Sequence, residues 1–450
     1  MALPQITERL QRRTQWFFYV SSLFVLLMYT PNQTIPCKCN IHPITSYRFL
    51  RSTKRFAMLK KIGLLRYIVL VFLLASCKKN LSATPPSNDT LPNVSTKVFY
   101  NWTSFVMGAD LSFTNQVQDY GGIYKDSGVV QDPYTIFKNH GANVVRVRLW
   151  NNPGWLASYN NGHLYSDLND ATKTMQRAKA TGMAVCLDLH YSDTWADPNN
   201  QNIPAAWVGL PLSTLQDSVY QYTLFVLNVC KSNNLTPEMI QIGNETNQGM
   251  LWPVGKVTNN DFTAFAKLLQ SGIKAVRDFS ATSAIKPLII LHVAQFQNAD
   301  WYANGVTQAG VTDFDILGIS HYADYTTLTS MSEVSTNISI LKAKYHKKMM
   351  LAEASYPWTL LNADHYNNIC NAAFASYPIS LQGQFQYMKD LTQQVISGGG
   401  AGVMYWAPDW ISTSMKDKWG TGSSWDNNTF FDFSGNTLPG IDYMTFKYVF

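Results

Sequence analysis

Two glutamates occupy positions suited to paired carboxyl chemistry. Glu245 closes the stretch Gln241-Ile-Gly-Asn-Glu245, and Glu353 lies in the apolar run 348–356. Two carboxyls across a cleft can cleave a glycosidic bond with retention when a protonated one donates to the leaving oxygen and an ionised one attacks the anomeric carbon. Either glutamate alone has a second interpretation, as a rim residue or a salt-bridge partner. Both together, each near the end of an apolar run, favour Glu245 as acid/base and Glu353 as nucleophile.

Polar side chains also end most of the other apolar runs, and they are predicted to surround the two glutamates. The predicted substrate-binding residues are Asp110, Arg146, Arg148, His190, Asn244, His321, Tyr322 and Trp406. We expect Arg148 to pair with Glu353, because a nearby positive charge lowers a carboxyl pKa and suits a nucleophile. Tyr322 is expected to donate a hydrogen bond to the same carboxylate, and Asn244 to hold a substrate hydroxyl.

Several of these residues also have a purely structural interpretation. Arg146 and Arg148 could form ion pairs inside the barrel without touching a ligand. His190 and His321 could be core histidines whose hydrogen bonds are satisfied by the protein itself. The sequence leaves these alternatives open.

Eight short runs of apolar or β-branched residues are predicted to be buried parallel strands. They span 105–109, 143–150, 184–191, 239–245, 288–294, 316–322, 348–356 and 403–408. Helical stretches fit between most of them, for example at 167–181, 214–232, 261–279 and 382–397. Eight βα units predict an α/β fold with a single (β/α)8 TIM barrel domain, and an open doubly wound sheet is the alternative. In such a barrel the active site lies at the carboxyl ends of the strands, where the polar residues collect.

The net charge of +6 hides an uneven distribution along the chain. Residues 1–79 hold 13 Lys and Arg and a single acid, Glu8, whereas residues 80–450 hold 22 basic and 28 acidic residues. The folded body is therefore acidic. This distribution gives no support for nucleic acid as a partner.

The N-terminal region resembles a bacterial lipoprotein signal. A basic start at Met58 precedes the apolar stretch 68–75, which is too short to span a bilayer, and the stretch ends in Leu74-Ala-Ser-Cys77. We predict a signal peptide over 58–77 with lipidation at Cys77, a flexible tether over 78–97 and the catalytic domain over 98–450. Residues 1–57 are predicted to be a non-native extension, with a second signal anchor as the alternative. The predicted location is extracytoplasmic, with a lipid anchor in a bacterial outer membrane, on its cell-surface or periplasmic face.

Cysteines and tryptophans give two further predictions. Three cysteines remain after the signal, Cys186, Cys230 and Cys370, and this odd number favours buried free thiols over a disulfide framework. Loops near the predicted barrel mouth carry tryptophans, several of which are expected to line a groove and stack on sugar rings. These tryptophans are Trp195, Trp207, Trp252, Trp406, Trp410 and Trp425. Barrel core for Trp406 and loop anchor for Trp425 are the structural alternatives.

Seven stretches carry a family resemblance. They are Phe105-Val-Met-Gly-Ala-Asp-Leu-Ser112, Val145-Arg-Val-Arg-Leu-Trp-Asn-Asn-Pro153, Leu187-Asp-Leu-His-Tyr-Ser-Asp-Thr-Trp-Ala-Asp-Pro198, Gln241-Ile-Gly-Asn-Glu245, Gly318-Ile-Ser-His-Tyr322, Ala352-Glu-Ala-Ser-Tyr-Pro357 and Tyr405-Trp-Ala-Pro408. In this order they resemble glycoside hydrolase family 53, the arabinogalactan endo-β-1,4-galactanases of clan A. One departure is Ala354 after the predicted nucleophile, where the family pattern leads us to expect Thr.

The resemblance implies retaining endo-hydrolysis of β-1,4-D-galactosidic linkages in type I arabinogalactan, the pectic galactan, by double displacement. It matches Glu245 to the family acid/base and Glu353 to the family nucleophile. Two alternatives are another clan A endo-glycanase, such as a mannanase or cellulase, and a non-catalytic glycan-binding surface lipoprotein. The chain is predicted to act as a monomer with the polysaccharide as its partner.

The resemblance also bears on cofactors. The reaction is expected to need none, but some family members bind a structural calcium ion in the loop after the seventh strand. Here that loop offers Asn362, Asp364, His365 and Asn367, a closely spaced set that includes the oxygen ligands hard cations prefer. A polar loop without an ion is the alternative.

Overall fold

The structure, a computed structural model, describes residues 104–450. The predicted N-terminal extension, signal peptide, lipidation site Cys77 and tether lie outside the described residues. Within the described part, no helix combines the length and the apolar character needed to cross a membrane.

Eight parallel strands form a closed barrel, and two short strands form a separate antiparallel hairpin. In chain order the strands are β1 (Val106–Asp110), β2 (Lys125–Asp126), β3 (Val129–Val130), β4 (Val144–Leu149), β5 (Ala184–Leu189), β6 (Met239–Ile242), β7 (Leu288–Ala294), β8 (Ile316–His321), β9 (Lys348–Ala354) and β10 (Gly402–Tyr405). The ring runs β1, β10, β9, β8, β7, β6, β5, β4, and β1 pairs with both β10 and β4. The predicted barrel is confirmed, and the alternative of an open sheet is wrong.

Helices follow the barrel strands and cover their outer faces. They are α1 (Thr114–Asp119), α2 (Pro133–Asn139), α3 (Leu168–Ala180), α4 (Leu212–Ser232), α5 (Thr263–Ser280), α6 (Phe296–Gln308), α7 (Ser332–Tyr345) and α8 (Leu381–Ser397). Several begin at a residue whose side chain accepts a backbone N–H of the first turn, as N-caps do. Asp167 caps α3 in this way and Ser380 caps α8.

Strand alternation sorts the side chains between the lumen and the helix layer. At the amino-terminal end of the barrel the lumen holds an apolar cluster to which all eight strands contribute, for example Val106, Val144 and Met404. Space there is tight, because a Cβ added at Gly108 would lie 2.3 Å from the side chain of Met404. The lumen is therefore packed at this end, and only its other end is left for polar side chains.

Four barrel strands are followed by non-glycine residues in the left-handed region of backbone conformation. Tyr191 after β5, Glu245 after β6, Gln295 after β7 and Ala407 after β10 have φ values between 43° and 68°. Such conformations cost roughly 1–3 kcal/mol each and persist only where the surroundings fix them. β7 ends where predicted, but β5, β6 and β10 end earlier than predicted. Glu245 and Trp406 therefore lie on sharp turns at the mouth of the barrel.

Candidate active site

A polar layer fills the lumen above the apolar cluster. Its members face inwards by the same alternation and come from seven of the eight barrel strands. They are Asp110, Arg146, Asp188, Gln241, His292, Ser320 and Glu353, and all are buried. In a (β/α)8 barrel the active site lies at the carboxyl ends of the strands. This layer is therefore the floor of the candidate site.

A β-bulge turns Glu353 into the lumen. Opposite β8, Ile319 pairs with Leu351 but the next residue, Ser320, pairs with Glu353, so Ala352 is an extra residue on β9. Ala352 belongs to the apolar cluster of the lumen, and without the bulge the following residue would face the helices. The bulge therefore sets the direction of the predicted nucleophile.

Each oxygen of the Glu353 carboxylate has its own donor. Arg146 Nη2 lies 2.8 Å from Oε1, and the hydroxyl of Tyr322 donates to Oε2 at 2.6 Å. Hydrogen bonds from charged or polar donors favour the ionised form of a carboxyl group. The hydrogen bond predicted from Tyr322 is confirmed.

The ion pair predicted between Arg148 and Glu353 is wrong, because Arg146 makes it. Both arginines point into the lumen, but residues two apart on a strand differ by roughly 6.5 Å in height. Arg148 lies higher, where its guanidinium is 4.1 Å from the ring centre of Trp195 and 4.6 Å from that of Phe113. Burial lowers the pKa of Arg148 to about 10. Arg148 thus supports an aromatic wall of the mouth and leaves the carboxylate to Arg146.

Arg146 is the centre of a buried charge network. Nη1 lies 2.7 Å from Asp110, and Nη2 lies 2.9 Å from Asp188 in addition to its contact with Glu353. The same Nη2 donates to Oδ1 of Asn244 at 2.9 Å. The structural interpretation of Arg146 therefore holds, and it coexists with a direct contact to the predicted nucleophile.

Glu245 is held by its backbone. The amide of Gln201 donates to the carbonyls of Asn244 and Glu245, and Nδ1 of His292 accepts the N–H of Glu245 at 3.2 Å. These contacts fix a residue with a φ of 43°. Ser320 lowers the pKa of the Glu245 carboxyl, against the larger effect of burial, which raises it.

The two carboxyls have unequal proton affinities. Burial and the charge of Glu353 hold the pKa of Glu245 well above its usual range. Burial also raises the pKa of Glu353, but Arg146 and the hydrogen bond from Tyr322 oppose that rise. Because like charges near each other cannot both ionise easily, the proton stays on Glu245. The pair therefore supplies one acid and one carboxylate.

Sequence reasoning missed Asp188, Gln241, His292 and Ser320. His292 Nε2 lies 2.9 Å from the hydroxyl of Ser320, and the amide of Gln241 donates to its Nδ1. Burial and the charge of Arg146 hold the pKa of His292 well below its usual value, so the ring is neutral. The signal was present as single polar residues in mid-strand, such as Asp188 between Leu187 and Leu189.

Both histidines that were predicted to bind substrate have side chains that contact other residues of the protein. His190 contacts Asp188 through Nε2 at 3.0 Å, and its Nδ1 accepts hydrogen bonds from Trp150 and from the N–H of Ala196. His321 packs between the rings of Phe296 and Phe374 in the layer outside the barrel. Burial lowers the pKa of His321 to about 4, so it stays neutral near pH 7.

Comparison with known proteins bears on this site. The chain matches the model of Glycosyl hydrolase family 53 over residues 106–444. The chain belongs to this family. It is 40% identical over 346 residues to an arabinogalactan endo-β-1,4-galactanase of Cellvibrio japonicus, a match that covers 75% of this chain and 90% of that protein. It is 33% identical over 338 residues to arabinogalactan endo-β-1,4-galactanase A of Emericella nidulans, covering 74% and 91%.

Solved structures of family 53 share the fold. The family 53 catalytic domain of Ignisphaera aggregans superimposes with a TM-score of 0.69 at 34% identity, over 77% of this chain and 96% of that one. A structure from work on two fungal β-1,4-galactanases gives a TM-score of 0.64 at 29% identity, over 75% and 98%. The chain is therefore a glycoside hydrolase of the (β/α)8 type.

An aromatic collar lies at the mouth of this barrel and consists of Trp195, Trp406, Trp410 and Trp425, whose rings contact one another. Trp406 is half-buried, and Trp425 meets it edge-on at 4.5 Å and donates its indole N–H to the carbonyl of Trp406. Trp410 is buried and stacks on Phe113 at 3.8 Å. Trp410 and Trp425 are therefore supports of the collar. Trp406 and the half-buried Trp195 lie side by side, with ring centres 6.1 Å apart, and both keep exposed surface.

The predicted calcium loop is fastened by hydrogen bonds. Asp364 accepts the N–H groups of Tyr366 and Ser423 as well as the hydroxyl of Ser412, and Asn362 accepts from the amide of Asn368. The other two predicted ligands, His365 and Asn367, are exposed. Within residues 104–450 no group of three or more His, Cys, Asp or Glu is placed to hold a metal ion. Calcium binding by this loop stays a prediction.

The Tyr322 hydrogen bond predicts a change in pH dependence. As the predicted nucleophile, Glu353 would have to be ionised to react, and Tyr322→Phe removes a donor to the ionised form. We therefore expect the acidic limb of kcat/KM to move to higher pH by about one to two units, since a hydrogen bond to a charged group contributes roughly 1.5–3 kcal/mol. The measurement is a pH–rate profile. Tyr191→Phe is the control, because Tyr191 also loses a buried hydrogen bond, to Thr223, but lies outside the lumen. An unmoved acidic limb in Tyr322→Phe contradicts the assignment.

Proposed function

We propose that this chain hydrolyses β-1,4-galactosidic linkages within pectic galactan, the type I arabinogalactan, with retention of configuration. The observation that best supports this proposal is that two glutamates at the mouth of the barrel have different environments. Glu353 is clasped by Arg146 and Tyr322, whereas Glu245 keeps a proton. Family membership and relatives that are named galactanases support galactan as the substrate.

The proposed reaction has two displacement steps. A carboxylate oxygen of Glu353 attacks the anomeric carbon while Glu245 gives its proton to the departing glycosidic oxygen, which leaves as an alcohol. Glu245, now ionised, takes a proton from water, and the resulting oxygen nucleophile displaces Glu353 from the sugar. Glu245 regains its proton and Glu353 its charge, so the enzyme returns to its starting state.

The other functional alternatives have less support. A mannanase or cellulase of the same clan would share the barrel, because fold alone does not decide substrate. The family model and the named relatives favour galactan instead. A non-catalytic glycan-binding barrel would not require a carboxylate clasped by two donors beside a protonated partner.

Substitution of the two glutamates separates their roles. Glu353→Gln should lower turnover of galactan by at least about 10³-fold, because an amide cannot form the glycosyl ester. Glu245→Ala should cleave substrates with good leaving groups slowly and gain rate with added azide, which replaces water as the second nucleophile. Reducing-sugar and chromogenic assays measure both.

The matched control is Glu333→Gln. Glu333 accepts hydrogen bonds from backbone N–H groups at the start of α7, outside the lumen. The Glu333→Gln enzyme should therefore hydrolyse galactan at the wild-type rate. Turnover by Glu353→Gln at the wild-type rate would refute the proposed mechanism.

Trp406 is proposed as the platform under the sugar at the cleavage point. Its indole is half-buried and is fixed from the side by Trp425. Trp406→Ala should lower kcat/KM on galactan at least tenfold, about 1.4 kcal/mol of transition-state binding. Trp406→Phe should recover part of this loss. Kinetics and far-UV dichroism provide the measurement, and an unchanged efficiency with an unchanged fold would place Trp406 outside the site.

Cofactor and assembly follow from the same mechanism. Double displacement between two carboxyls uses no metal or organic cofactor. A calcium ion in the loop of Asn362, Asp364, His365 and Asn367 would therefore be structural. We also infer that the enzyme acts as a monomer, because one chain supplies both glutamates and their partners.

We further propose that the enzyme is exported and anchored by lipid at Cys77. The support is the sequence Leu74-Ala-Ser-Cys77 after an apolar stretch, followed by a polar tether. In a bacterial host, Cys77→Ala should abolish incorporation of a fatty-acid probe and release the protein from the membrane fraction. Ser76→Ala is the control, because it keeps a small residue before the cysteine. Cys77→Ala protein that remains in the membrane fraction would contradict the lipid anchor.

A further inference from the structure

A second groove lies on the outside of the barrel, between the residues that lead into α5 and one face of α6. It has a volume of about 420 Å³, which lies within the range of small-ligand sites. Its lining residues belong to the outer helices and the loop before α5. None of them contacts Arg146, Glu245 or Glu353, so the groove is separate from the catalytic site.

An exposed indole forms one wall of this groove. Trp301 is 38% exposed, although large aromatic side chains are usually well buried. Its Nε1 donates to Oδ1 of Asn260 at 2.9 Å, and its ring packs 5.0 Å from that of Phe262. Because these two contacts hold the indole in place, its exposed surface is a rigid platform.

The remaining wall is polar and uncharged. One face of α6 forms this wall, because residues three or four positions apart lie on the same side of a helix. The residues on this face are Trp301, Asn304, Gly305 and Gln308. The amides of Asn304 and Gln308 are exposed, and each offers both a donor and an acceptor. Gly305 lets the Phe262 ring pack against the helix, because a Cβ there would lie 2.2 Å from it.

Charge indicates which ligand class fits. Among the described residues that line the groove, Asp261 is the one charged side chain. Hydrogen bonds from Thr263 hold the pKa of Asp261 below its usual value, so this side chain is an anion. An anionic polymer would be repelled by Asp261 and would find no cationic side chain among the residues that line the groove. A neutral sugar chain offers hydroxyls for the amides and an apolar C–H face for the indole.

We propose that this groove is a non-catalytic binding site for a neutral polysaccharide, a segment of the same β-1,4-galactan chain. The inference rests on the proposed function for the identity of the polymer. A second contact with one polymer raises the effective concentration of cleavable linkages at the catalytic site. The groove therefore acts on polymeric substrate and leaves short oligosaccharides unaffected.

The test compares Trp301→Ala with its parent in two backgrounds. In the Glu353→Gln background, which does not hydrolyse the probe, native electrophoresis through gels with potato β-1,4-galactan measures affinity. We expect Trp301→Ala to raise the dissociation constant about fivefold, within the range for an aromatic contact. In the active background, the rate on insoluble galactan should fall several-fold while kcat/KM on a short galacto-oligosaccharide stays unchanged.

Two further variants keep the test decisive. Phe225→Ala is the matched control, because Phe225 is also an exposed aromatic on an outer helix, α4, and should bind galactan as its parent does. Asn304→Ala with Gln308→Ala removes the amides and leaves Trp301 packed on Phe262. This variant replaces Trp301→Ala if that protein melts early, and it should weaken galactan binding in the same way.

The outcomes distinguish the two levels of the account. Unchanged galactan affinity in both groove variants, with galactan still cleaved by the wild type, overturns the groove alone. Tighter binding of polygalacturonate than of galactan at Trp301 overturns the ligand class. A wild-type enzyme that neither cleaves nor binds galactan refutes the proposed function, and the groove proposal with it.

Discussion

The site depends on one buried guanidinium. Arg146 is 1% exposed and contacts the carboxylates of Asp110, Asp188 and Glu353. Removing one partner of a buried ion pair typically costs about 3–5 kcal/mol, because the other charge is left uncompensated. Here one guanidinium holds three buried acids together. Burial and the charge of Glu353 raise the pKa of Glu245, which lacks a direct contact with Arg146 among the described residues, and so Glu245 retains its proton.

Rigid elements set the positions of the two reacting groups. The bulge at Ala352 turns Glu353 inwards, and Gln201 and His292 fix the left-handed turn at Glu245. Both glutamates are therefore held in place by the protein itself. Preorganisation of this kind lowers the cost of reaching the transition state. The collar of tryptophans above completes the mouth with side chains that already support one another.

The sequence predicts the barrel well because buried parallel strands leave a clear apolar pattern. Strand ends are less predictable, since Glu245 lies three residues beyond β6 on a turn that tertiary contacts stabilise. The pairing of Arg146 instead of Arg148 with Glu353 depends on relative strand height, which one strand's sequence does not reveal. The outward direction of His321 was predictable from the alternation of side chains along the strand, because its neighbour Ser320 on β8 faces the lumen. Asp188 and His292 were detectable from period-two alternation within apolar strands.

The central claim is that Glu353 forms the covalent bond to the sugar. An activated 2-fluoro galactoside slows the second displacement, so the glycosyl-enzyme accumulates and can be digested and mapped by mass spectrometry. The account predicts one added glycosyl group per protein, carried by the peptide that contains Glu353 and absent from Glu353→Gln. Attachment to any other residue, or full turnover-dependent inactivation without a label on Glu353, would contradict it.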